Sequence, residues 1–167
     1  MTSSLTVIGL GYVGLPLARE ACQAGLAVTG IDTDSSVVAG LMSGQSHVDD
    51  VDSTDLAEML QAGFHATSDS TCVGGSDIVV ICVPTPLNEY GTPNLDAVKT
   101  ATRTVSEKLR PGTLVVLEST TYPGTTEDII RPILEAGSGL AAGTDFYLSY
   151  SPERIDPGNP DWGLRNT

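Results

Sequence analysis

The turn at residues 9–14, Gly-Leu-Gly-Tyr-Val-Gly, limits the possible folds of this chain more than any other stretch. An apolar run over residues 5–8 precedes it and is typical of a buried strand, while residues 15–24 repeat apolar side chains at helical spacing. A strand, a tight glycine turn and a helix in this order present backbone N–H groups to a pyrophosphate. Because glycine turns are common, a turn without any ligand is the alternative.

A carboxylate at the end of the next strand strengthens the prediction of a dinucleotide site. The apolar run over residues 26–31 ends at Asp32, which lies 18 residues beyond Gly14. A carboxylate at this spacing accepts hydrogen bonds from the adenosine ribose. Asp32 would also repel a 2′-phosphate, and no arginine lies nearby in the sequence. The sequence therefore predicts binding of NAD rather than NADP.

Composition sets the class of protein and argues against several partners. The 167 residues are enough for one domain with a sizeable core, and 40% of them are hydrophobic. The net charge of −13 argues against nucleic acid and anionic membranes as partners. No apolar run approaches the ~20 residues of a transmembrane helix, and no basic segment precedes the first apolar stretch. The cytoplasm is therefore the expected location.

The cysteines and acids do not predict a metal centre. Cys22, Cys72 and Cys82 lack metal-ligand spacing. Cys22 and Cys82 fall on a predicted helix and strand, so they are expected in the core rather than as nucleophiles. A run of acids is interpreted as a solvated face near a helix start, with a metal or partner site as the alternative. This run comprises Asp49, Asp50, Asp52, Asp55 and Glu58.

The rest of the chain alternates strand-like and helix-like segments. Further strands are predicted at residues 64–67, 77–83, 113–117 and 145–150. Helices are predicted at 36–42, 54–61, 95–110 and from a cap at Thr125 to residue 134, with a turn or short helix at 71–75. This alternation predicts an α/β fold, a doubly wound, Rossmann-type parallel sheet with right-handed crossovers in a single domain.

Four unusual segments follow predicted strands, where ligands bind in open parallel sheets. They are the glycine turn and residues 83–86, 118–124 and 151–154. Each alone has a structural explanation, since prolines often follow strands and a threonine can cap a turn. Together they indicate one binding site along the carboxyl edge of the sheet.

The same motifs, extended to residues 9–18, 83–86, 118–127 and 151–159, cover nearly the whole chain and resemble the nucleotide-sugar 6-dehydrogenases. The resemblance implies that NAD is used twice to oxidise the C6 alcohol of a UDP-hexose to a carboxylate, through a cysteine-bound thioester. It also implies that residues 1–167 are the NAD-binding domain of a longer, homodimeric enzyme. The catalytic lysine, asparagine and cysteine, the central helix and the UDP-binding domain of the family would follow Thr167.

The resemblance also assigns roles to individual residues. The implied cofactor contacts are Gly9, Gly11, Tyr12, Val13, Gly14, Asp32, Val83, Pro84, Thr85, Ser119 and Thr120. Among them, residues 11–13 would contact the pyrophosphate, Asp32 the adenosine ribose, and Thr85 and Thr120 the remainder of the dinucleotide. Thr120 and Glu153 match positions associated with the catalytic water and proton transfer, and a partly desolvated glutamate can act as a general base.

Substrate contacts are implied for Glu153 and Arg154. Pro157 stands where the UDP-glucose branch tends to have a second glutamate, which resembles the branch acting on UDP-N-acetylhexosamines. UDP-glucose is the alternative substrate. Val37 stands near the position where many relatives carry a basic residue after the ribose-binding aspartate.

Two rival functions use the same glycine turn. A short-chain hydroxyacid or 6-phosphogluconate-type dehydrogenase shares the turn, but it does not account for residues 118–127 together with residues 151–159. A non-catalytic module that binds NAD as a regulatory ligand is the alternative from another class.

Overall fold

Six strands form the centre of the computed structural model, which describes residues 2–153. The strands are β1 (Ser4–Ile8), β2 (Ala27–Ile31), β3 (His65–Thr67), β4 (Ile78–Ile81), β5 (Leu114–Leu117) and β6 (Tyr147–Tyr150). The helices are α1 (Gly14–Gln23), α2 (Ser35–Met42), α3 (Ser53–Gln61), α4 (Asp96–Ser106) and α5 (Arg131–Ser138). A 3₁₀ helix spans Ser70–Gly75, and a π-helical segment, Thr126–Ile130, precedes α5.

All neighbouring strands are parallel, in the order β3-β2-β1-β4-β5-β6. The chain builds the sheet outward from β1 to β3 and then returns to place β4 on the other side of β1. The strand order therefore reverses between β1 and β4, which is the topological switch point where such sheets bind ligands. The predicted α/β, doubly wound, Rossmann-type sheet in a single domain is confirmed.

Strand β4 is buried on both of its faces. Val80 packs in one hydrophobic cluster with α1 and α3, while Val79 and Ile81 pack in a second cluster with α4 and α5. Successive side chains of a strand point to opposite faces, so a strand covered by helices on both sides needs apolar residues throughout. This explains why the sequence is continuously apolar here.

Acidic side chains begin two of the helices. Asp34 Oδ1 accepts a hydrogen bond of 2.8 Å from the Ser36 N–H at the start of α2. Asp52 caps α3 in a capping box with Asp55, which also pairs with the Arg19 guanidinium at 3.1 Å. Part of the acidic run thus fixes α3 and ties it to α1. Within residues 2–153, no cluster of histidine, cysteine and acidic side chains is arranged to hold a metal ion.

The prediction of a helix capped by Thr125 and ending at 134 is wrong in detail. The Thr125 hydroxyl donates to the Tyr122 carbonyl at 2.8 Å and makes no side-chain cap. The segment begins as the π-helical Thr126–Ile130 and continues as α5 to Ser138, where Gly139 ends it with φ of 72°. A glycine at this position adopts the left-handed conformation without a side-chain penalty.

Three other elements are shorter than predicted. Helix α4 ends at Ser106 rather than residue 110, because the Ser106 hydroxyl bonds the Arg103 carbonyl at 2.7 Å and Pro111 disfavours helix before it. Strand β4 ends at Ile81, so Cys82 follows the strand, although it is buried. Strand β6 begins at Tyr147 instead of residue 145.

Within residues 2–153, none of the helices has the length and apolar character needed to cross a membrane.

Candidate functional site

A cleft of about 560 Å³ opens at the carboxyl ends of β1, β2, β4 and β5. Its walls come from the glycine turn, the end of β2 and the segments that follow β4, β5 and β6. The lining residues are Ile8, Gly9, Gly11, Tyr12, Val13, Ile31, Asp32, Thr33, Cys82, Val83, Pro84, Thr85, Glu118, Ser119, Thr120 and Glu153. The cleft spans the switch point of the sheet, where the two halves of a dinucleotide can lie on either side.

The three glycines of the turn have different structural reasons. Gly9 has φ of 93°, and a Cβ there would lie 2.8 Å from the Cys82 carbonyl oxygen. A Cβ at Gly14 would overlap the Gly9 carbonyl oxygen, so this glycine lets α1 pack against the turn. A Cβ at Gly11 would meet no atom within 4 Å. Since Gly11 lines the cleft, its missing side chain leaves space for a ligand to approach the backbone.

The turn offers hydrogen-bond donors to this space. The N–H groups of Gly11, Tyr12 and Val13 donate to no backbone acceptor within residues 2–153. They precede the ten-residue helix α1, whose N-terminus carries a partial positive charge. Donors and dipole together suit the pyrophosphate of a dinucleotide, as P-loops and Rossmann turns bind phosphate.

Asp32 lies directly after β2 and is held on both carboxylate oxygens. Oδ2 accepts a hydrogen bond of 2.9 Å from the Leu10 N–H, and Oδ1 accepts one of 2.9 Å from the Asp34 N–H. The carboxylate therefore lies beside the turn and lines the cleft. This position suits the hydroxyl groups of an adenosine ribose.

The opposite wall is built from the loops after β4 and β5. The Ser119 hydroxyl donates to the Val83 carbonyl at 2.7 Å and joins the two loops. Ser119 is itself buried, whereas Thr120 is exposed at the cleft beside Thr85 and Pro84. The serine thus positions the loops, and the threonines present hydroxyl groups to the cleft.

Carboxylates gather at this end of the cleft. Glu118 follows β5 and is only 9% exposed; burial raises the pKa of its carboxyl, and the nearby Glu153 carboxylate raises it further. A hydrogen bond from the Ser151 hydroxyl partly offsets this rise. Burial and the charges of Glu118 and Glu153 also raise the pKa of the Cys82 thiol. The thiol of Cys82 is therefore not activated as a nucleophile.

The structure brings together most of the residues named from the sequence. Gly14 lies beneath the turn instead of lining the cleft, and Arg154 and Pro157 lie outside the described residues. The residues assigned to the site from the sequence do not include five others that line the cleft, namely Ile8, Ile31, Thr33, Cys82 and Glu118. All five are adjacent to strand ends, so the rule that ligands bind at the carboxyl edge could have found them.

Comparison with known proteins agrees with this geometry. Residues 3–166 match the UDP-glucose/GDP-mannose dehydrogenase family, NAD binding domain. The chain is 38% identical over 157 residues to UDP-N-acetyl-D-glucosamine 6-dehydrogenase of Pseudomonas aeruginosa, covering 94% of this chain and 36% of that protein.

Two solved structures resemble the fold closely. The structure of UDP-D-ManNAc dehydrogenase from Pyrococcus horikoshii matches with a TM-score of 0.87 and 40% identity, over 93% of this chain and 37% of that one. The structure of a UDP-glucose dehydrogenase from Pyrobaculum islandicum matches with a TM-score of 0.85 and 31% identity, over 95% of this chain and 37% of that one.

The chain spans a little over a third of the length of these relatives. Its resemblance to nucleotide-sugar dehydrogenases is confirmed, and the expected cofactor, NAD, is that of the matched domain. The open space at Gly11, the donors of the turn and the carboxylate of Asp32 fit this dinucleotide. The chain belongs to the UDP-glucose/GDP-mannose dehydrogenase family and corresponds to its NAD-binding domain.

Proposed function

We propose that this chain is the NAD-binding domain of a UDP-sugar 6-dehydrogenase that oxidises the C6 alcohol of a UDP-hexose to a uronic acid with two NAD. One observation carries the proposal: a single cleft is lined by the dinucleotide residues and, at its β5 and β6 end, by Thr120 and Glu153. Cofactor and proton acceptor thus share one space, as an alcohol oxidation requires. The family match supports the same reaction class.

NAD, when bound, supplies a hydride acceptor. The backbone N–H groups of residues 11–13 bind its pyrophosphate, and Asp32 binds the adenosine ribose. Thr85 and Thr120 contact the remaining part of the dinucleotide, together with Val83, Pro84 and Ser119. These contacts orient the cofactor across the switch point of the sheet.

Thr120 and Glu153 form the reactive end of the site. Glu153 takes a proton from the sugar alcohol or from a water molecule, and Thr120 holds that water with its hydroxyl group. Glu153, together with Arg154, also contacts the substrate.

The substrate of the whole enzyme is a UDP-N-acetylhexosamine. This assignment is supported by the names of similar proteins, which include dehydrogenases of UDP-N-acetyl-D-glucosamine and UDP-N-acetyl-D-mannosamine at 38–41% identity. Pro157 supports the same branch. UDP-glucose is the second candidate, because a UDP-glucose dehydrogenase shares the fold at 31% identity.

The 167 residues bind NAD and do not oxidise a sugar by themselves. The relatives are nearly three times as long, and the remaining length supplies the catalytic lysine, asparagine and cysteine, the central helix and a UDP-binding domain. The whole enzyme is a homodimer. Residues 1–167 are then one domain of that enzyme.

Two measurements test the proposal. Calorimetry of the 167-residue chain is expected to give NAD binding, while absorbance at the NADH band stays flat with UDP-N-acetylglucosamine, UDP-N-acetylmannosamine or UDP-glucose. NADH formation by this chain alone would contradict the proposal that sugar oxidation requires the rest of the enzyme. Sequencing the gene beyond the Thr167 codon should give a cysteine-bearing second domain, and its full product should oxidise the N-acetylhexosamine substrates faster than UDP-glucose. A stop codon after Thr167 would favour an NAD-sensing module instead.

A further inference from the structure

We propose that Glu118 and Glu153 together make the cleft select the oxidised dinucleotide over the reduced one. The proposal gives Glu118 a role in the site: it helps to determine which redox state of the cofactor binds more tightly. The inference rests on the proposed function, because it requires NAD in the cleft. It concerns binding preference, so it can be tested without turnover.

The register of the sheet places Glu118 in a row of strand-end residues. Leu117, the last residue of β5, pairs with Ile81 at the end of β4 and with Tyr150 at the end of β6. Cys82, Glu118 and Ser151 follow them. The N–H of Glu118 donates to the Ile81 carbonyl at 3.0 Å, and the N–H of Ser151 donates to the Leu117 carbonyl at 3.0 Å. The backbone of Glu118 is therefore fixed by β4, and the backbone of the preceding Leu117 is fixed by the residue that follows β6.

The charged side chains that line the cleft are all acidic. Glu118 lines it just after β5 and Glu153 lines it from the segment after β6, while Asp32 lies at the far end, after β2. Within residues 2–153, the lining contains these three carboxylates and no lysine, arginine or histidine. Glu118 is buried and senses the charge of Glu153. The two carboxylates thus act on the same small volume.

The position of Asp32 decides which half of the dinucleotide meets these carboxylates. Asp32 follows β2 and would hold the adenosine ribose, which would place the adenine half over the ends of β1 and β2. The N–H groups of residues 11–13, which donate to no backbone acceptor within residues 2–153, would hold the pyrophosphate at the turn between β1 and α1. The nicotinamide half must then lie over the ends of β4 and β5, where Glu118 and Thr120 line the cleft.

The two redox states differ in charge at this half alone. The nicotinamide ring of NAD carries one positive charge, and the ring of NADH carries none, while the phosphates and riboses are the same. A buried carboxylate attracts the charged ring and gains nothing comparable with the neutral ring. The net charge of −13 also favours the form whose ring carries a positive charge, and an exposed control variant measures this long-range contribution separately. Glu118 therefore favours the oxidised cofactor, which suits a domain that must discharge NADH between two oxidation steps.

The test compares dissociation constants for NAD and NADH at about pH 8, well above the ordinary glutamate pKa of 4.5. Glu118→Gln is expected to lower the ratio Kd(NADH)/Kd(NAD) by roughly three- to tenfold, since one carboxylate charge is removed from a partly desolvated site. Glu153→Gln should lower the ratio in the same direction. The matched control is Glu107→Gln, an exposed glutamate at the end of α4 and so at the opposite edge of the sheet; its ratio should stay within about twofold of the unaltered chain.

Each outcome separates this inference from the proposed function. If the unaltered chain binds both dinucleotides and the ratio is the same in both glutamine variants, the selection by charge is wrong and the proposed function stands. If the unaltered chain binds neither dinucleotide, the proposed function and this inference are both overturned. A ratio that falls equally in the Glu107→Gln control would also overturn the inference, because the effect would then come from net charge.

Discussion

The carboxylate of Asp32 accepts a hydrogen bond of 2.9 Å from the backbone N–H of Leu10, which joins the end of β2 to the glycine turn after β1. Its other oxygen accepts from the Asp34 N–H, so the carboxylate is oriented before any ligand binds. Preorganised groups lose less entropy on binding, and Asp32 therefore fixes the turn as well as offering its charge to a ribose.

Asp32 should determine both affinity and the choice of dinucleotide. Asp32→Asn is expected to weaken NAD binding by about tenfold or more, because a charge-assisted hydrogen bond contributes about 1.5–3 kcal/mol. The preference for NAD over NADP should also shrink, since the repulsion of a 2′-phosphate is removed. Calorimetry with both dinucleotides measures this. Asp34→Asn is the control, because Asp34 caps α2 and does not line the cleft; equal affinity of the unaltered chain for NAD and NADP would contradict the prediction.

Alanine substitutions at two glycines of the turn should have different effects, one on stability and the other on NAD binding. Gly14→Ala is expected to lower the free energy of unfolding by about 3 kcal/mol, the upper end of the usual cost of overpacking, because its Cβ would overlap the Gly9 carbonyl oxygen. Gly11→Ala should leave stability within about 1 kcal/mol, since its Cβ meets no atom within 4 Å. It should nevertheless weaken NAD binding by at least about tenfold, because the methyl group enters the cleft beside the phosphate donors. Urea unfolding and calorimetry separate the two effects; a stable Gly14→Ala variant would show that the turn can shift.

The fold follows from local patterns that act over a few residues. β4 is predicted from its continuous apolar run, and the cap of α2 is equally local, because the Asp34 side chain accepts a hydrogen bond from a neighbour two residues away. The segment at residues 125–138 is different. Thr125 has a good capping side chain, but it bonds the Tyr122 carbonyl instead, and the chain enters α5 through a π-helical segment. A local pattern cannot choose between these two partners of one hydroxyl group.

In the candidate site too, some residues are predictable from local sequence and others depend on contacts between distant parts of the chain. Asp32 and the turn follow a short motif whose spacing carries the geometry, so they are predictable from the sequence. The role of Glu118 is not predictable in this way, because the raised pKa of its carboxyl depends on burial and on Glu153, which lies 35 residues later in the chain. Only the pairing of β5 with β6 brings these two carboxylates together. The electrostatic part of the site is therefore a property of the sheet register.

The capping box at the start of α3 should contribute measurably to stability. Asp52→Ala is expected to lower the free energy of unfolding by about 1 kcal/mol, because the carboxylate accepts from the N–H groups of Thr54 and Asp55 at 2.8 Å. Asp49→Ala is the matched control, since Asp49 is an exposed acid of the same run, and its effect should stay within about 0.5 kcal/mol. Equal effects in urea unfolding would mean that the run acts only through its net charge.

The thiols should react slowly in the folded chain. Burial raises the pKa of Cys22 to about 11 and raises the pKa of Cys72 and Cys82 as well. Since the thiolate is the reactive form, alkylation by iodoacetamide near neutral pH should be much slower than in the chain unfolded by urea. Mass spectrometry of peptides resolves the three sites. Rapid labelling of Cys82 before unfolding would contradict its burial beneath the cleft.

Glu118 should make the stability of the domain depend on pH. In the unfolded chain its carboxyl titrates near the ordinary pKa of 4.5, and in the folded chain burial and Glu153 raise that pKa. Between the two values the folded state binds more protons, so the free energy of unfolding falls as the pH rises through this window. Glutamine does not titrate. The stability of Glu118→Gln relative to the unaltered chain should therefore be lowest below pH 4.5, rise through the window and stay constant above the raised pKa. Urea midpoints measured over a pH series test this, with Glu107→Gln as the exposed control; a difference that does not change with pH would mean that the folded state leaves the carboxyl of Glu118 as it is in the unfolded chain.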